Sequence, residues 1–266
     1  MTNNLDEKLI PQQAERILRE NNVTSLPVDL SIIYNKAGIV VSSKEGLSPG
    51  VSGMLIRSGN NFGIIYSCFY HNTGFERFSI AHELGHYFIE GHVNQLFLTD
   101  AMHISHAGCF TEAENDIERQ ADIFATNLLM PESLIHDEIA TSHPSIESIK
   151  KLSEKCQTSF TATTIRYIEL TKHAVCLIVS DGDKICYSFM SDNMKKRKLE
   201  YIRKNTKIIP KTVTYTAIHD GTLDKTNYVS QDAYLYDWFD CNSKKWTTEE
   251  VLKLPSYNKI ITLIHF

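Results

Sequence analysis

His82-Glu83-Leu84-Gly85-His86 constrains this chain more than any other feature. Histidines four residues apart share one helix face, so both imidazoles can reach a single metal ion. The glutamate is then held beside that ion, placed to take a proton from water. Zinc lowers the pKa of its water to near neutrality, which makes hydroxide available at pH 7. Three specified residues in five also arise by chance, so the surroundings decide. Thr73-Gly74-Phe75-Glu76 fits a capping box, and Phe78, Ile80, Ala81 and Leu84 offer a face to bury. The pattern predicts a helix from Thr73 to about Glu90, with Gly91 as its cap.

A catalytic zinc takes three protein ligands and keeps one position open. His92 lies ten residues after His82, a spacing at which some HExxH proteins place a third histidine. Those chains turn at a glycine where this one has Ile89, and a β-branched residue resists positive φ. Glu118 is the stronger candidate. In Glu118-Arg119-Gln120-Ala121-Asp122 the two acids share a helix face one turn apart, and the apolar run after Asp122 carries that helix into a core. A carboxylate supplied by a second helix is the gluzincin arrangement. The expected centre is a single zinc per chain held by His82, His86 and Glu118, with Glu83 as general base. Asp122 would accept the outer N–H of a zinc histidine and fix its tautomer. The competing reading is a solvated acidic face, because Glu112, Glu114 and Asp116 crowd the same region.

These residues resemble the ImmA/IrrE family of zinc metallopeptidases. Arg77-Phe78-Ser79-Ile80-Ala81-His82-Glu83-Leu84-Gly85-His86 is similar to the family's RFTxAHELGH. Glu118 through Ala125, followed by Leu128-Leu129-Met130-Pro131, resembles ExEANxFAxxLLMP, with Gln120 for a frequent Glu and Asp122 for a frequent Asn. The resemblance covers roughly residues 10–170. It implies a mainly helical, zincin-like peptidase core with a small β-sheet. It also implies a protein substrate: a helix-turn-helix repressor whose cutting releases genes of a mobile element or a stress response.

The rest of the chain sets the frame. Helices are expected near 11–21, 29–34, 112–129, 145–155 and 160–170, and a hairpin over Gly53–Ile56 and Phe62–Tyr66. Residues 92–111 lack periodicity and read as a long loop. After Lys172 the runs Ala174–Val179, Ile185–Phe189, Thr212–Ile218, Ala233–Phe239 and Ile260–Phe266 look β-prone. The expected class is therefore α+β. The peptidase domain spans 1–172, and a strand-rich α+β C-terminal module, sensory or partner-binding, spans 173–266.

Composition excludes several functions. The 266 residues carry a formal net charge of -5, which gives no global drive toward DNA or an anionic membrane. There is no apolar run of bilayer length and no signal-like N-terminus. The six scattered cysteines read as reduced thiols, and the expected compartment is the cytoplasm. Residues 195–207, KKRKLEYIRKNTK, read as a solvated basic helix with Leu199 and Ile202 buried. Tyr66, Tyr70, His71, His103 and His106 lie near the motifs as candidates for stabilising an oxyanion, none singled out. Two function classes remain: a zinc endopeptidase, or a regulator with a non-catalytic zinc that acts by docking alone. An intact Glu83 favours the first.

Overall fold

The computed structural model describes residues 7–48, 50–98, 101–106, 116–241, 243–254 and 259–266. The chain divides into two compact units: residues 1–135 with 153–162, and residues 136–152 with 163–266.

The first unit opens with α1 (Ile10–Glu20), which buries Ile10, Ala14, Ile17 and Leu18 at helical spacing. In α2 (Leu30–Lys36) the Asp29 carboxylate accepts from Ser31 N at 2.9 Å, an N-cap that satisfies an orphan donor. The strands β1 (Val40–Lys44), β2 (Val51–Ser58) and β3 (Asn61–Ser67) follow, and β2 and β3 form the expected hairpin. Next come α3 (Thr73–Phe88), α4 (His92–Leu96), β4 (Met102–His106) and α5 (Asp116–Leu129). The sheet order is β1-β3-β2-β4, with β1 parallel to β3 and the other pairs antiparallel. α3 lies against this sheet and crosses α5, whose Ala121, Phe124, Ala125 and Leu128 are fully buried.

Three local expectations shift here. The side chain that caps α3 belongs to Asn72, which accepts from Phe75 N at 2.9 Å; a side-chain amide does the work assigned to Thr73. α3 stops at Ile89, which is extended, and Gly91 in the left-handed region (φ 89°) starts α4 instead. The stretch read as one long loop contains both α4 and β4. Residues 112–115, with Glu112 and Glu114 of the suspected acidic face, lie outside the described residues.

The second unit takes in most of α6 (Glu132–Thr141), α7 (Ile146–Cys156) and α8 (Phe160–Leu170). Its sheet holds β5 (Val175–Asp181), β6 (Lys184–Met190), β7 (Tyr228–Tyr234), β8 (Trp246–Leu254) and β9 (Lys259–His265) in the antiparallel order β6-β5-β9-β8-β7. Between β6 and β7 lie α9 (Asp192–Lys195), α10 (Val213–His219) and α11 (Thr222–Thr226), and α12 (Leu235–Trp238) follows β7. Cys176, Ile178, Ile185, Trp238, Phe239 and Ile264 share one core cluster. The α+β class holds for both units.

Three expectations fail here. Most of the β-prone run Ala233–Phe239 is helical, since the Asp237 carboxylate accepts from Tyr234 N at 2.9 Å and closes α12 at its start. Residues 213–219 are helical rather than extended, because Thr212 caps them by accepting from Tyr215 N at 3.1 Å. The basic run stays helical only to Lys195, since Lys198 and Asn205 sit at positive φ (57° and 67°), which no helix accommodates. Leu199 and Ile202 still pack inward. Among the described residues no helix is long and apolar enough to cross a membrane.

Candidate metal centre

The crossing of α3 and α5 builds the centre. Gly85 makes it close: a Cβ there would stand 3.1 Å from Ala121 Cα and 3.2 Å from Ala121 O. With no side chain between them, Glu118 on α5 reaches the histidines of α3. His82 Nε2 and His86 Nε2 are 3.0 Å apart. Glu118 Oε2 is 3.1 Å from His82 Nε2, and its Oε1 is 3.4 Å from His86 Nε2. Donor atoms of these three residues all lie within 4.8 Å of one another, the one such group among the described residues.

The outer ring nitrogens are engaged. His82 Nδ1 is 2.8 Å from Asp122 Oδ1, and as a carboxylate can only accept, the Nδ1 proton belongs there. His86 Nδ1 is 3.2 Å from His92 Nδ1, and His92 Nε2 is 2.9 Å from Gln120 Oε1. With the Gln120 oxygen as acceptor, His92 carries its proton on Nε2 and accepts from His86 at Nδ1. Both inward Nε2 atoms then present lone pairs to each other and to a carboxylate.

Three lone-pair donors facing inward repel unless a cation lies among them. A tetrahedral zinc with bonds of about 2.0–2.1 Å separates its ligand nitrogens by roughly 3.3 Å, close to the observed spacings. Glu118 Oε1 is buried with no well-aligned hydrogen bond, an acceptor left for such an ion. The electrostatics agree. Burial alone would lower the His82 imidazole, but Asp122 and Glu118 outweigh it and favour positive charge at this spot. Burial likewise opposes ionisation of Glu118, yet His103, His82 and His86 hold it far below the ordinary carboxylate range. For His86, burial prevails and keeps the ring neutral, the form a metal needs. The residues fit a divalent cation.

Glu83 is fully buried beside this group, and neither carboxylate oxygen has an aligned hydrogen bond. Burial pushes its carboxyl up to about 7, against the pull of His82, Ser105 and His103. β2 makes room for it at Gly53, where a Cβ would stand 2.7 Å from Glu83 Oε1.

The structure therefore brings His82, Glu83, His86, Glu118 and Asp122 together. His92 sits behind His86, on the nitrogen that faces away from the other donors. Of the residues named as oxyanion candidates, His103 reaches the centre: its Nε2 is 3.0 Å from Glu118 Oε1, and its ring lies 4.6 Å from that of His86. Tyr70, His71 and His106 are exposed. Ser105, Gln120 and Gly53 also line the centre, a position that the motifs alone do not assign to them. The available signal was the pairing of His103 with Ser105 at strand spacing.

The family model of the IrrE N-terminal-like domain matches residues 35–167. No curated protein matches the chain. Among solved structures, a Mycobacterium tuberculosis transcriptional regulator is similar, with a TM-score of 0.57 and 16% identity; the match covers 96% of this chain and 86% of that one. At that identity the likeness is one of fold. The matched segment contains α3, α5 and every residue of the centre, and the chain belongs to the IrrE N-terminal-like peptidase family.

Proposed function

We propose that this protein is a cytoplasmic zinc-dependent endopeptidase that cuts a helix-turn-helix transcriptional repressor, releasing genes of a mobile element or a stress response. One observation carries the peptidase reading: a buried carboxylate, Glu83, held without an aligned partner beside three convergent metal donors. A purely structural zinc site has no use for such a group. The repressor as substrate rests on family membership and on the shared fold of a transcriptional regulator.

His82, His86 and Glu118 would hold the zinc. When bound, zinc supplies a Lewis acid that acidifies water and polarises an amide carbonyl. The other steps belong to the protein. Glu83 takes the proton of the attacking water and later delivers it to the leaving amine nitrogen. Asp122 keeps the His82 proton on Nδ1, and the His92–Gln120 pair does the same for His86, so neither ring turns its N–H inward. Burial excludes bulk water from Glu83 and keeps its proton affinity near the working pH.

The test is direct. The purified chain, its chelated form and the zinc-restored form are each incubated with the helix-turn-helix protein encoded nearest to its gene, and fragments are read by mass spectrometry. Cleavage by the first and third alone supports the reading. An intact repressor whose target promoter is nevertheless derepressed would establish the docking-only alternative.

A further inference from the structure

We infer that His103 of β4 is a positioning residue for the proposed centre: its Nε2–H donates to Glu118 Oε1 and fixes how that carboxylate meets the metal. The inference rests on the zinc reading above and adds a residue from a third element.

The geometry comes from strand alternation. His103 and Ser105 point to one face of β4, toward α3 and α5, while Met102, Ile104 and His106 are exposed on the other. β4 pairs with β2 in antiparallel register, Leu55 opposite His103 and Gly53 opposite Ser105. That register brings Ser105 beside the Glu83 carboxylate and His103 beside Glu118. Glu118 has two oxygens and several neighbours. His82 lies at Oε2, while Oε1 lies between His86 Nε2 at 3.4 Å and His103 Nε2 at 3.0 Å. A carboxylate on a flexible glutamate stem can bind an ion through one oxygen or both. A donor fixed on a strand at Oε1 selects one mode and removes the freedom of the other. Both His103 Nε2 and Glu118 Oε1 are buried and neither makes an aligned hydrogen bond, so the 3.0 Å contact joins two polar atoms that no other protein group satisfies. Outer partners of metal ligands typically change metal affinity by about 10–100-fold.

The test uses the full chain and needs no substrate. Zinc affinity is measured by competition with a chromophoric chelator, and the ligand field by the visible spectrum of the cobalt-loaded protein. His103→Ala should weaken zinc binding by about 10–100-fold and shift the cobalt bands. His103→Gln, which keeps an N–H donor at similar reach, should restore most of both. His106→Ala, on the exposed face of the same strand, should change neither. If His103→Ala does not fold, His103→Phe replaces it, keeping a ring of similar bulk without the donor. Zinc affinity within about twofold of wild type in the donor-free variant overturns the assignment. So does a His103→Gln variant as weak as His103→Ala, because the ring itself would then be the ligand. A wild-type chain that takes up no zinc sinks the proposed function and this assignment together, whereas zinc uptake indifferent to His103 sinks the assignment alone.

Discussion

Gly85 faces Ala121 across the helix crossing at close range: a methyl group on Gly85 would lie 3.1 Å from the Ala121 Cα, so main chain would have to give by a few tenths of an ångström. Two effects oppose each other in Gly85→Ala. Intrinsic helix propensity favours alanine by about 1 kcal/mol in a helix interior. Overpacking between two backbones costs about 1–3 kcal/mol. The contact is with main chain, which cannot swing aside, so overpacking should win. The variant should unfold at lower denaturant and bind zinc more weakly, because α5 carries Glu118 away from α3. A stabilised variant with normal zinc affinity would show that the crossing is loose.

Glu83→Gln keeps the shape and loses the base. Zinc content should be unchanged, since Glu83 is not among the three convergent donors. Turnover should fall by about 10²–10⁴, the usual contribution of a general base. Plasma emission spectrometry and a quenched-fluorescence peptide assay measure the two. Loss of metal together with activity would place Glu83 among the ligands instead.

Glu118 and His92 separate by role. Glu118→Ala removes a donor and should abolish stoichiometric zinc after dialysis. His92→Ala removes only the group that takes the His86 Nδ1 proton, 3.2 Å away, so zinc should remain with affinity reduced by about 10–100-fold. Equilibrium dialysis against zinc buffers distinguishes them. Full zinc in Glu118→Ala with none in His92→Ala would exchange the two assignments.

A pH dependence follows from Glu249 in the C-terminal unit. This carboxyl accepts from Thr214 N and Thr214 Oγ1, each at 2.7 Å, yet burial raises its pKa above the ordinary value. A raised acid favours the protonated fold. Its stabilisation is present below the unfolded pKa of about 4.3 and is lost as pH rises through the folded value. Glu249→Gln carries no such charge. Its melting temperature should therefore gain on wild type as pH goes from 4 to 8. A gap that closes over that range would mean the carboxylate is welcome in its ionised form.

The helix motifs made much of the centre legible, because spacing on a helix translates directly into direction. Residues four apart on α3 and α5 had to share faces, and the distances among His82, His86, Glu118 and Asp122 follow from that. β4 was hidden because it puts its apolar side chains, Met102 and Ile104, outward and the polar His103 and Ser105 inward, the reverse of the usual alternation. β8 was hidden for a related reason. Glu249 and Glu250 are both buried, a pair that sequence alone assigns to solvent. The helix at 213–219 reads as a strand because its threonines favour extended backbone, while the deciding cap is one hydroxyl, on Thr212.

Gly53 brings no side chain to the reaction, yet the space above it is filled by the Glu83 carboxylate. Every missense codon at this position adds a Cβ 2.7 Å from a Glu83 carboxylate oxygen, which must then move. In a saturation-mutagenesis map of the gene, Gly53 would score as intolerant as Glu83 itself. A reader of that map alone would count an extra chemical participant. The intolerance belongs to vacancy: the strand contributes by what it leaves out.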